Sequence, residues 1–273
     1  MLTNADGKIV NIDGLRTFYF QTGSGCPVVL IHGASPGACS VTSWQLNLEP
    51  LARAGFAVYA FDQPGFGMTD NPQDHSIEFR VKHARAFVDA MRFDRYHVVG
   101  NSVGGYIAAR LALEDPRVAS FTTTTSGTLA PRGSAASQAL GKAHGEELRA
   151  YTPSVANMRK LTRGTIFHKE LITDELVELR YDMSSGKNHE AQLARQDVPS
   201  PRPIHDELKH MRQKSLLLWG KNDSGVTVER GLLLFDLIPG AEFHLFDRCA
   251  HWVQWDQADR FNNLIVNFVG ETK

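Results

Sequence analysis

The chain has 273 residues, of which 42% are apolar and 22% charged, and its net charge is −1. That composition can bury a sizeable core, and the charge balance gives no drive toward nucleic acid or an anionic membrane. No basic start leads into an apolar run, so no signal peptide is expected, and no apolar stretch is long enough to span a membrane. The expected compartment is the cytoplasm. Three scattered cysteines, Cys26, Cys39 and Cys249, fit reduced thiols better than a disulfide framework or a zinc site.

The elements follow in chain order. "KIVNIDGLRTFYF" holds two short β-rich runs around Asp13-Gly14, a strong hairpin signal. "PVVLIHG" (27–33) is a continuous apolar run ending in glycine, as in a buried strand. "QLNLEPLARAG" reads as a helix closed by Gly55, and "FAVYAFD" (56–62) as the next buried strand. From Ile77 to Met91 the spacing is helical, and it predicts Phe79, His83, Phe87 and Met91 along one face. "YHVVG" and "VASFTTTTS" (118–126) are further strands, with an alanine-rich helix between them. Short apolar strands alternating with helices predict an α/β fold, with a mostly parallel sheet flanked by helices.

The alternation stops at about Pro131. Helical runs follow, the clearest being "DELVELRYDM" (174–183) with Thr173 as candidate N-cap. "DVPSPRPIHD" ends this stretch with three prolines in five residues. Then "SLLLWG" (strand), "VERGLLLFDLI" (helix), "AEFHLF" (strand) and "ADRFNNLIVNFV" (helix) resume the pattern. The simplest division is a core of residues 1–130 and 206–273, interrupted by a helical insertion at 131–205.

"VVGNSVGGYIAARLAL" leaves a strand, turns at one serine and enters a helix. A serine is a poor nucleophile unless a histidine takes its proton and backbone N–H groups meet the oxyanion. A sharp strand-to-helix turn presents Ser102 that way, and the glycines at 100 and 104 relieve the crowding. Asp223 in "WGKNDSGV" and His251 in "FDRCAHWVQW" each follow a strand end, where parallel sheets place their sites. In this reading His251 takes the Ser102 proton, and Asp223 orients the imidazole and stabilises its charged form. Asp62, upstream of the serine, is the competing acid. "HGASPG" (32–37) stands where the second oxyanion donor is needed, so the N–H groups of Ala34 and Val103 are the expected pair, with His32 structural. No metal-ligand spacing, Gly-Lys-Ser/Thr phosphate loop or GxGxxG motif is present, so neither metal nor cofactor is expected. By helix position alone, Arg180 reads as a solvated arginine with ordinary helix pairs.

The stretches "HGASPGA", "FDQPGFGMTD", "GNSVGG", "RYDMS" and "CAHWVQWDQADRFNNLIVNF" resemble the meta-cleavage product hydrolases of bacterial aromatic catabolism, within the α/β-hydrolase superfamily. The resemblance runs from about Gly14 over nearly the whole chain. It implies an α/β-hydrolase fold with residues 131–205 as a helical lid. It implies Ser102, Asp223 and His251 as the triad, and cleavage of a C–C bond in a dienoate diketone, giving a 2-hydroxypenta-2,4-dienoate and a carboxylic acid. It also suggests Arg180, Asn101 and Trp252 for binding the dienoate end, a small-molecule substrate and a homo-oligomer. Two departures stand out. Ser43 occupies a polar-subsite position where family members often have asparagine. Ser224-Gly225-Val226-Thr227 replaces the usual Arg-Phe-Val-Pro after the acid. A carboxylesterase with the same triad is the main alternative; a cofactor-free dioxygenase and a ligand receptor are others.

Overall fold

A computed structural model of the chain describes residues 6–271. The elements are β1 (Lys8–Ile12), β2 (Leu15–Thr22), β3 (Cys26–Ile31), α1 (Ser40–Trp44), α2 (Leu48–Arg53), β4 (Phe56–Phe61), α3 (Ile77–Ala90), β5 (Tyr96–Asn101), α4 (Val103–Glu114) and β6 (Val118–Thr124). There follow α5 (Ala135–Arg149), α6 (Val155–Thr165), α7 (Asp174–Asp182), α8 (Lys187–Gln196), α9 (His205–Leu208), β7 (Lys214–Gly220), α10 (Val228–Leu237), β8 (Glu242–Phe246), α11 (Val253–Asp256) and α12 (Ala258–Gly270). Between β6 and β7 the described residues form helices and no strand.

The eight strands form one sheet in the order β1-β2-β4-β3-β5-β6-β7-β8. β1 and β2 pair antiparallel through the hairpin turn, where Asp13 and Gly14 both take positive φ, and β2 runs antiparallel to β4. All pairs from β4 to β8 are parallel. The central strands are buried on both faces, and their side chains alternate. Val29 and Ile31 pack with Phe87 of α3 and Ile107 of α4, while Val28 and Leu30 pack with Leu51 of α2 and Phe261 of α12. Leu216 and Leu218 of β7 join the second cluster, whereas Leu217 and Trp219 join the first.

The face expected for α3 is corrected. Its apolar buried stripe is Ile77, Val81, Ala84, Phe87 and Val88, while Phe79 and Met91 are only half-buried. Residues spaced by four advance about 40° around a 3.6-residue turn, so 79, 83, 87 and 91 drift off one face. His83, also buried, bonds through Nε2 to the Thr17 hydroxyl of β2 (2.9 Å). In the helical segment, Thr173 caps α7 as expected, accepting from the Leu176 N–H. A third apolar cluster joins this segment to the core, with Met158, Leu161, Leu176 and Val177 against Trp252 and Trp255. Asp256 ties the same junction by accepting from the N–H groups of Phe167, His168 and Ala250 (2.8–2.9 Å). No helix among the described residues is long and apolar enough to cross a membrane.

Candidate active site

Ser102 stands between β5 and α4 with φ 55° and ψ −121°. A non-glycine residue rarely adopts positive φ, so the turn is held by its surroundings. Ser102 N–H donates to the Thr124 carbonyl (3.0 Å), and the Ser126 hydroxyl donates to the Ser102 carbonyl (2.5 Å). The flanking glycines are required by contact. A Cβ on Gly100 would lie 2.1 Å from the Gly104 carbonyl oxygen, and one on Gly104 would lie 2.2 Å from that of Ile31. Backbone cannot move aside as a flexible side chain can. Gly104→Ala is therefore expected to lower stability by about 2–3 kcal/mol and to reduce activity. A denaturation midpoint equal to that of the parent would show that the turn tolerates the methyl group.

Asp223 and His251 lie in neighbouring loops, because β7 and β8 are adjacent parallel strands. The two loops are stitched together: Lys221 N–H donates to the Phe246 carbonyl (2.9 Å) and Asn222 N–H to that of Cys249 (2.8 Å). Asp223 Oδ2 meets His251 Nδ1 at 2.6 Å, while Oδ1 accepts from the Gly225 and Val226 N–H groups (2.8 and 2.9 Å). Ser224-Gly225-Val226 thus keeps the acid in an Asx-type turn. Burial alone would raise the Asp223 pKa, but the adjacent His251 and the two amides outweigh it and hold the carboxyl below its ordinary range. An ionised Asp223 accepts from Nδ1–H, which leaves His251 Nε2 as an acceptor.

Ser102, His251, Asn101, Ala34, Val103 and Trp252 line one cavity of about 670 Å³. Val103 is the first residue of α4, so its N–H has no partner within the helix. Asn101 is buried; its Nδ2 donates to Thr124 Oγ1 (2.8 Å), and its Oδ1 has no partner among the described residues. His32 is structural. Its Nε2 accepts from Gln63 N–H (3.0 Å) and its Nδ1 donates to the Gly33 carbonyl (2.7 Å). Burial draws its pKa down to about 3, so the ring is neutral.

Asp62, the competing acid, binds the backbone and hydroxyl of Ser40 (2.7 and 2.5 Å) and the Met68 N–H (2.8 Å). It pins α1 to the loop after β4, and burial raises its pKa.

Arg180 is not the solvated arginine that its helix position suggests: it is 0% exposed. Its guanidinium donates to Thr162 Oγ1 and the Pro36 carbonyl (3.1 Å each) and lies 4.5 Å from the Trp252 ring centroid. It forms no ion pair among the described residues, and burial lowers its pKa to about 10. It does not itself line the cavity. It backs Trp252 and Ser35, which do. Ser43 is also off the cavity lining. It lies in α1, all of whose residues are buried, and its carbonyl accepts the Trp255 indole N–H (3.2 Å).

Sequence reasoning missed the opposite wall. Gln138, Gly141, Lys142, Gly145, Leu148 and Arg149 line the cavity as one stripe of α5, at the three- and four-residue spacing that could have shown it. His144, on the same helix, brings its ring within 6.2 Å of the His251 ring. Gly225 leaves room for it, since a Cβ there would lie 2.7 Å from the His144 ring. Arg132 and Arg230 add two further cations to the lining, in which no aspartate or glutamate occurs among the described residues. No group of three His, Cys, Asp or Glu side chains suited to a metal occurs among the described residues.

Residues 28–264 match the model of the "Alpha/beta hydrolase family". The chain is 32% identical over 263 residues to a 2-hydroxy-6-oxononadienedioate/2-hydroxy-6-oxononatrienedioate hydrolase of Dechloromonas aromatica, covering 93% of this chain and 91% of the relative. It is 32% identical over 275 residues to a 2-hydroxy-6-oxo-2,4-heptadienoate hydrolase of Pseudomonas putida, covering 96% of each. Among solved structures, a meta-cleavage product hydrolase from Pseudomonas fluorescens superposes with a TM-score of 0.87 at 32% identity, over 98% of both chains. The chain belongs to the alpha/beta hydrolase family and, within it, to the meta-cleavage product hydrolases.

Proposed function

We propose that the chain hydrolyses the C5–C6 bond of a 2-hydroxy-6-oxohexa-2,4-dienoate, releasing a 2-hydroxypenta-2,4-dienoate and a carboxylic acid. The names of both relatives describe 2-hydroxy-6-oxo acids that differ at the far end: a heptadienoate in one, and in the other a nonadienedioate or nonatrienedioate, which carries a second carboxylate. The observation that carries the reading is Arg180. It is a buried guanidinium without a carboxylate partner among the described residues, set directly behind the wall of the Ser102 cavity. Such a charge is costly unless an anion compensates it, and the dienoate carboxylate is that anion. Asn101, through its free Oδ1, and Trp252 complete the dienoate end.

The reaction starts with a shift of the dienol to its keto form, as His251 helps move the 2-hydroxyl proton to C5. Ser102 Oγ then adds to the C6 carbonyl, and His251 Nε2 takes its proton. The N–H groups of Ala34 and Val103 hold the oxyanion. The C5–C6 bond breaks, its electron pair passes into the conjugated ketone, and the dienol product leaves with a proton. Water, deprotonated by His251, attacks the acyl-serine and frees the acid. In sum, one water is consumed: its OH goes to C6 and its hydrogen to the dienol.

Arg180→Ala tests the reading, because an ester without a carboxylate needs only the triad and the oxyanion donors. The expected loss in kcat/KM on a dienoate is about 30- to 1000-fold, corresponding to about 2–4 kcal/mol for a charge-assisted contact. A neutral aryl ester is expected to change little. Equal losses on both, or none on either, would favour the carboxylesterase reading.

A further inference from the structure

The reaction cavity adjoins a second chamber of about 410 Å³, and the two share Gly127, Thr128, Arg132, Ser200 and Arg230 in their walls. The second chamber is lined by four guanidinium groups, Arg80, Arg132, Arg195 and Arg230, and by the imidazoles of His75 and His205, with no aspartate or glutamate. Arg80 of α3 is 4% exposed. Its nearest polar partner is Gln63 Oε1, at 3.4 Å, and its buried Nε has no partner among the described residues. Arg195 of α8 donates to the Gly65 carbonyl (2.9 Å). Both stand over the Phe66 ring, Arg195 at 3.9 Å and Arg80 at 5.6 Å from its centroid. Neither forms an ion pair among the described residues.

Carbonyls and a ring face do not neutralise a buried cation and a half-buried one, and like charges side by side repel. Burial, and then the Arg80 charge, lower the Arg195 pKa to about 9; burial lowers that of Arg80 to about 10. An arrangement of this kind is completed by an anion that accepts from both guanidinium groups. Arg132 and Arg230 lead toward it from the reaction cavity. Arg230 is held by the carbonyls of Pro131, Gly127 and Ala130 and forms no ion pair among the described residues.

Resting on the reaction proposed above, we infer that the chamber receives a carboxylate carried on the C6 arm of the substrate, the arm that leaves as the acid. The dienoate carboxylate then sits against the wall that Arg180 backs, and the second carboxylate at Arg80 and Arg195. The acid released is a dicarboxylate.

The test compares two dienoates that differ only in the C6 arm, a two-carbon chain ending in carboxylate in one and in methyl in the other. The parent protein is expected to favour the carboxylated arm by about tenfold or more in kcat/KM, and Arg80→Gln and Arg195→Gln are each expected to remove that preference, chiefly through KM. The loss on the methyl counterpart should be several-fold smaller, which controls for misfolding. Separately, saturating succinate should raise the Tm of the parent and not that of Arg80→Gln. No preference in the parent, equal losses on both dienoates, or an equal succinate shift in the variant would overturn the inference. If neither dienoate is cleaved, the proposed reaction fails, and the succinate measurement alone decides whether the chamber binds a carboxylate.

Discussion

Ser102→Ala is expected to keep the fold and the bound dienoate while turnover falls by at least about a thousandfold, roughly 4 kcal/mol in the barrier. The turn is already specified by Gly100, Gly104 and the bonds to Thr124 and Ser126, none of which uses the Ser102 hydroxyl. Removing Oγ takes away the attacking atom and leaves Asn101, Trp252 and Arg180 in place. Stopped-flow absorbance should therefore show a bound dienoate that persists instead of decaying. Hydrolysis at near the parental rate would remove Ser102 from the mechanism.

Asp223→Asn is expected to reduce kcat by about a thousandfold or more, and far more than Asp62→Asn does. The Asp223 carboxylate accepts from His251 Nδ1 at 2.6 Å and is held below the ordinary carboxylate range by His251 and two amides. An amide cannot stabilise the imidazolium, and its NH2 can turn toward Nδ1 and impose the wrong tautomer on His251. The same carboxylate stabilises the native state above its unfolded pKa, and that contribution fades as the pH falls through its depressed folded value. Asp62→Asn acts elsewhere. One oxygen that accepts from Met68 or Ser40 becomes a donor facing a donor, which costs about 1–3 kcal/mol of stability. Measuring kcat on folded protein, together with denaturation midpoints, separates the two effects. The reverse ranking in kcat would make Asp62 the acid.

Much of the architecture was legible because it rests on local patterns. The continuous apolar runs of β3, β4, β5 and β7, the Asp13-Gly14 turn and the Thr173 cap each follow from the conformational preferences of a few adjacent residues. The Ser102 turn was legible for the same reason, since its crowding arises within five residues and the glycines mark it. Other features depend on which elements meet. Asp223 reaches His251 because β7 and β8 are neighbours and their loops bond at Asn222 and Cys249, whereas Asp62, on an equally plausible loop, is consumed by Ser40 and Met68. Arg180 looks like a surface arginine in its own helix, and only the packing of α7 against Trp252 and the Pro36 segment buries it. Ser43 falls off the cavity because α1 is buried on every side. The paired chambers draw arginines from α3, α5, α8, α10 and the loop after β6. Helix period and turn chemistry act over a few residues, but burial, charge pairing and the closing of a cavity depend on groups far apart in the chain, so the tertiary structure alone decides them.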